Sequence, residues 1–167
     1  NILTAHQTLN TDEKSYQAIK DKVLAKRNER IKPGIDNKLL AGWNGLAIKG
    51  LADAAKIFGE SAFLDLAEKC ADYIQYELFD GEQLYRIKEG NTQINGFLED
   101  YVLVIDGFIS LYQVSQEPKR LACIQALMQI CMDEFYDADE KLFFVTGKKQ
   151  DQLIARKKEL FDNVIPA

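Results

Sequence analysis

The chain predicts an all-α fold of tandem antiparallel helix hairpins, a slice of a toroid or solenoid with short β-hairpins between its units. Three observations carry this. A helix-pair pattern occurs twice at an offset of 57 residues, so that Ile48-Lys49-Gly50-Leu51 falls on Ile105-Asp106-Gly107-Phe108. Without gaps, Glu60 then falls on Glu117, Leu64 on Leu121, Glu77 on Glu134 and Asp80 on Asp137. Between these anchors apolar residues recur at helical spacing, and turn formers with short β-rich runs separate the two copies. A third copy starts at Asp162, five residues before the last.

The elements follow in order. Residues 1–10 read as irregular. Thr11-Asp12-Glu13 caps a lead-in helix over about 11–31, with acidic groups at the positive end of its dipole. Its apolar stripe, Ala18, Val23 and Leu24, is thin, and Pro33-Gly34 ends it. The first unit covers about 44–96. Leu46, Ala47, Gly50, Leu51, Ala54, Ala55 and Phe58 form one helix, stopped by Gly59. A second helix from Ser61 to about Phe79 carries Leu64, Ala67, Ala71, Ile74 and Leu78 on one face. Leu84–Ile87 and Thr92–Ile94, around Glu89-Gly90-Asn91, read as a hairpin.

The second unit covers about 99–157 and repeats the plan. A helix from Glu99 to about Val114 precedes one opened by Pro118, which suits a first helical position, and ended near Tyr136. Leu142–Thr146 reads as a strand, with Leu153-Ile154-Ala155 as its return. Each helix pair has apolar faces that only its neighbours can bury, which is why such units stack. The small-residue helix at 44–58 reads as inner, the amphipathic helix after it as outer. The hairpins then lie at one end of the ring, beside the starts of the inner helices.

Composition excludes several classes. The 167 residues are 47% hydrophobic and 28% charged, enough for one sizeable core. A net charge of −5 argues against a nucleic-acid surface. The richest basic run, Lys148-Lys149 to Arg156-Lys157-Lys158, is broken by Asp151 and followed by Glu159, and reads as a solvated face. No apolar run approaches the length of a membrane span. Cys70, Cys123 and Cys131 show no metal or CxxC spacing. Cys123 and Cys131 share a helical face with Leu127, as buried thiols do. Unpaired cysteines and the lack of a signal peptide at Asn1-Ile2-Leu3 point to a cytoplasmic location. The missing initiator Met reads as a piece cut from a longer chain. No cofactor or metal motif is present.

The chemistry-bearing residues gather at the inner-helix mouths. Trp43-Asn44-Gly45 opens the first inner helix, Glu99-Asp100-Tyr101 the second, and Phe161-Asp162-Asn163 approaches a third. An aromatic ring beside carboxylates and amides is what a sugar site uses, a flat face to stack on and acceptors for hydroxyls. Asn44 and Glu99 read equally as helix caps, and Trp43 as a space filler. Glu99 and Asp100 point about 100° apart on a helix, so they cannot both face one glycosidic bond. Asp100 with Asp36 is one candidate pairing. His6, the only histidine, lies outside the repeats and reads as an exposed residue.

Three ordered motifs resemble a known family: Asp36-Asn37-Lys38-Leu39-Leu40 through Trp43-Asn44-Gly45-Leu46, then Gly96-Phe97-Leu98-Glu99-Asp100-Tyr101, then Leu160-Phe161-Asp162-Asn163-Val164-Ile165-Pro166. Over roughly residues 30–167 they are similar to the thioredoxin-domain-containing proteins of the spermatogenesis-associated protein 20 family. The resemblance implies the middle of a C-terminal (α/α)6-barrel, similar to the N-acylglucosamine 2-epimerase and six-hairpin glycosidase folds. The thioredoxin CxxC is not in this chain. Epimerases of that fold use histidines as acid and base, and no histidine lies in the repeats here. The family pattern usually continues as Ser-Gly-Asn after the Pro, where this chain has Ala167.

Two functions follow as expectations. One is a carbohydrate-active or carbohydrate-binding barrel. Asp100 is then the acid/base, Trp43 the stacking platform, and Asp36, Asn44, Glu99, Tyr101 and Asp162 further substrate-binding residues. The other is a non-catalytic helical scaffold that binds a protein or small ligand beside a redox domain. Open helix faces also predict self-association of this segment.

Overall fold

Close packing of two inner helices organises the structure. The computed structural model describes residues 13–150 and 155–160. It divides into two compact units, 1–37 and 38–167. In the first, α1 spans Glu13–Asn28 and ends three residues before the expected Ile31. Lys26 pairs with Glu29 at 2.6 Å in its last turn.

In the second unit the helices are α2 (Ala41–Phe58), α3 (Ser61–Tyr73), α4 (Leu98–Ser115) and α5 (Pro118–Ile130). The 57-residue offset relates them end for end, α2 to α4 and α3 to α5. Strands β1 (Tyr85–Glu89) and β2 (Thr92–Asn95) form an antiparallel hairpin after the first pair, turning through Gly90 at φ 55°. The architecture is that of an (α/α) toroid with small β-hairpins, as the repeat predicts.

α2 and α4 run parallel, because successive contacts climb both helices together. Gly42 meets Asp100, Gly45 meets Leu103 and Val104, and Lys49 reaches Asp106 and Ser110. The approach is backbone to backbone. A Cβ on Gly45 would stand 2.5 Å from Leu103 O, and one on Gly107 would run into Gly45 O. Glycine costs about 1 kcal/mol in a helix interior relative to Ala, so its use at these two positions reflects the contact. Ile48, Ala52, Val104, Phe108 and Leu111 fill the core around the seam.

The outer helices differ from the uninterrupted forms expected. Both end in a wide π-helical turn, Ile74–Leu78 after α3 and Cys131–Phe135 after α5, again offset by 57 residues. After α5 the spacing of the buried ladder suits such a turn. Cys123, Leu127, Cys131 and Phe135 are all buried and each is four residues on. Four residues overshoot one α-helical turn by about 40°, and a wider turn takes up that drift. Burial pushes the Cys123 thiol up to about 11 and that of Cys131 to about 12, as for inert core thiols.

α5 is tied to α3 by a buried cation that the apolar pattern did not announce. Arg120 is fully buried and donates to Glu68 at 2.5 Å, Asp72 at 2.6 Å and Gln75 at 2.7 Å. The second hairpin also differs from expectation. β4 (Leu142–Phe143) pairs with β3 (Tyr136–Asp137), and Val145 N–H donates to Lys157 O. Leu153 and Ile154 of the expected return strand lie outside the described residues, as do residues 1–10, His6 and the third repeat start at Asp162.

Two stability predictions follow from the packing. Gly45→Ala should lower the unfolding free energy by about 2 kcal/mol through overpacking. Gly50→Ala, whose Cβ would meet nothing within 4 Å, should leave stability equal or raise it by up to about 1 kcal/mol; urea unfolding of both variants checks the pair. For Asp72, burial acts to raise the carboxyl, but hydrogen bonds from Lys119 and Arg120 outweigh it and hold the group below its ordinary 3.8. Its stabilisation is therefore present above 3.8 and lost as pH falls through the lower folded value. Asp72→Asn should flatten the acid limb of the stability–pH curve below about pH 4, read from urea midpoints.

Candidate functional site at the inner-helix mouths

Asp100 joins three elements at one end of the seam. It occupies the third position of α4 and is 2% exposed. Its Oδ1 accepts the Gly42 N–H of α2 at 3.1 Å. Its Oδ2 accepts the Phe97 N–H at 3.0 Å, a cap on its own helix, and Arg86 Nη1 of β1 at 3.0 Å. Arg86 Nη1 also pairs with Glu99 Oε1 at 2.6 Å, and its guanidinium lies 5.4 Å from the Phe97 ring centroid. Burial pushes the Asp100 carboxyl above its usual range, against the pull of the two amides and the guanidinium.

The other sequence-predicted residues divide by exposure. Trp43, in the first turn of α2 and next to Gly42, is 63% exposed. Glu99 is also exposed, with its carboxylate on Arg86. Asn44 turns inward, its Nδ2 donating to Leu40 O at 2.8 Å, which secures the start of α2. Tyr101 is 3% exposed and its hydroxyl accepts the Leu84 N–H at 2.8 Å. Its ring stands edge-on to Phe135 at 5.2 Å, and burial pushes the phenol up to about 12. Asp36 is exposed and belongs to the first unit. Asp162 lies outside the described residues.

The structure thus brings together Trp43, Glu99 and Asp100 at the adjoining mouths of α2 and α4. It adds Arg86, which the sequence reading missed. Arg86 sits on β1, the first strand of the hairpin before α4, and its role is set by the fold of the hairpin onto that helix rather than by any local pattern. A shallow cleft lies beside this mouth, lined by Glu82, Gln83, Gly96, Tyr101, Glu134 and Lys149, and Trp43 and Asp100 are not among its walls. Among the described residues no group of His, Cys, Asp and Glu could hold a metal ion, and no helix is long and apolar enough to cross a membrane.

No family model matches the chain. It is 31% identical over 149 residues to an uncharacterised protein of Caenorhabditis elegans, covering 84% of this chain. It is 33% identical over 129 residues to spermatogenesis-associated protein 20 of Rattus norvegicus, covering 71% of this chain. The chain belongs to the spermatogenesis-associated protein 20 family. It spans 20% of the length of the first relative and 16% of the second. In structure it resembles a cellobiose 2-epimerase from Bacillus thermoamylovorans, with a TM-score of 0.62 at 13% identity over 67% of this chain and 33% of that one. It also resembles a GH76 α-mannanase of Bacteroides thetaiotaomicron, with a TM-score of 0.58 at 14% identity over 79% of this chain and 42% of that one. These likenesses establish the (α/α)-toroid fold.

Asp100→Asn should lower stability by about 2 kcal/mol, because an amide NH2 would face a backbone N–H it cannot accept from and one buried amide would lose its partner. Chemical denaturation checks the value.

Proposed function

We propose that this chain forms one stretch of wall of a carbohydrate-binding (α/α) toroid, with a saccharide ring stacking on Trp43 and its hydroxyls reaching the Arg86–Glu99 pair. The observation that carries this is an exposed indole that follows Gly42, whose N–H donates to Asp100, together with the partly exposed Arg86–Glu99 pair that Asp100 also holds. Sugar rings present flat apolar faces edged by hydroxyls, and an aromatic platform with a charged donor and acceptor matches both features. The family's fold supports the reading, since structural relatives include an epimerase and a mannanase that act on sugars by name.

In this reading Asp100 is a positioning residue. Both of its oxygens are occupied by donors and its side chain is buried, so it aligns the two helix starts and holds Arg86 toward Glu99. Acid/base groups for a reaction would come from Glu99 or from other units. A scaffold without catalysis is the second reading, favoured by the inward engagement of Asn44, Asp100 and Tyr101.

Titration of the chain with a panel of mono- and disaccharides, cellobiose and mannobiose included, separates the two. A saturable response by calorimetry is expected for at least one sugar. Trp43→Ala should weaken it about tenfold, the worth of roughly one stacked ring, and Arg86→Met should weaken it as well. No binding by any member of the panel, or binding indifferent to Trp43→Ala, leaves the scaffold reading in place.

A further inference from the structure

The ion pair at the mouth has a counterpart further along α4. Glu99 and Asp106 are seven residues apart on that helix, so they share one stripe, about 20° out of line and about 10 Å apart along the axis. Each carries a cation from another element. Glu99 pairs with Arg86 of β1 at 2.6 Å, and Asp106 with Lys49 of α2 at 3.2 Å. Lys49 Nζ also donates to Ser110 Oγ at 3.4 Å. The side chains keep contact with solvent, Glu99 at 45%, Lys49 at 41% and Asp106 at 49%.

Stability does not account for the deeper pair, since an exposed contact of this kind contributes little and the glycine seam already joins the two helices. The repeat does not demand it either. The residues 57 positions before Glu99 and Asp106 are Gly42 and Lys49, so α2 has no carboxylate at either equivalent position. An open cation–carboxylate pair sets a donor beside an acceptor, which suits adjacent hydroxyls of a sugar. Two such pairs on one stripe, further apart than a single sugar ring reaches, call for a longer ligand. Charge narrows the choice. Glu99 and Asp100 already engage Arg86, and Asp106 engages Lys49, so neither cation is spare for an acidic sugar.

We propose that Lys49–Asp106 is a second subsite, and that the ligand is a neutral oligosaccharide of at least two rings lying along the Glu99–Asp106 stripe of α4. The inference rests on the saccharide reading above and adds to it the length and charge of the ligand.

Calorimetric titration of the full chain with glucose, cellobiose, mannose, mannobiose and digalacturonate tests it. A neutral disaccharide should bind at least about tenfold tighter than its own monosaccharide and than digalacturonate. Asp106→Asn and Lys49→Met should each remove most of that gain while changing the monosaccharide affinity by less than about twofold and barely moving the melting temperature, as for an exposed pair. Trp43→Ala, by contrast, should weaken one ring and two alike. Equal affinity for one ring and two, a gain untouched by both Lys49→Met and Asp106→Asn, or digalacturonate binding as tightly as the neutral sugars would overturn this inference and leave the saccharide reading of the mouth intact. Silence from every sugar would remove both.

Discussion

The backbone contact between α2 and α4 is the constraint on which the rest depends. Gly45 against Leu103, and Gly107 against Gly45, let two parallel helices approach until main-chain atoms touch. At that separation the side chains beyond the seam must be buried on the outer side, so Ile48, Ala52, Val104 and Phe108 form the core with α3 and α5. The same closeness brings the first turns of both helices within hydrogen-bond reach, and only then can Asp100 span from one to the other.

Asp100 shows how packing and chemistry share a residue. A carboxylate at the third position of a helix is an ordinary cap. Here it also accepts from the neighbouring helix and from Arg86, so one side chain sets the register of α2, the end of the first hairpin and the start of α4. The price is solvent contact, and what remains exposed at the mouth is Trp43 and Glu99. Lys49–Asp106 lies further along the seam at 3.2 Å with both side chains nearly half exposed, and adds little to stability.

Much of the fold was legible in the chain. Gly59 ends α2 in the left-handed region at φ 69°, and Pro118 opens α5. These are local signals, and local signals survive translation into structure. The π-helical ends of the outer helices were not read, although the four-residue ladder Cys123, Leu127, Cys131 and Phe135 holds the clue. Buried Arg120 was also missed, because its burial depends on Glu68 and Asp72 some 50 residues away. The candidate site was half visible. Spacing placed Trp43, Glu99 and Asp100 at equivalent mouths, but which of them turned inward depended on the partners that packing supplied.

The sequence by itself determined the repeat, its 57-residue period and the positions of the helix mouths, because periodic apolar spacing and turn chemistry act over a few residues. Tertiary structure alone decided the division of roles at the mouth. Asp100 became an internal tie and Arg86 its partner because β1 and α2 converge on one carboxylate, a convergence of residues 14 and 58 positions apart from it. No local pattern encodes such a meeting, since it exists only once the helices have packed.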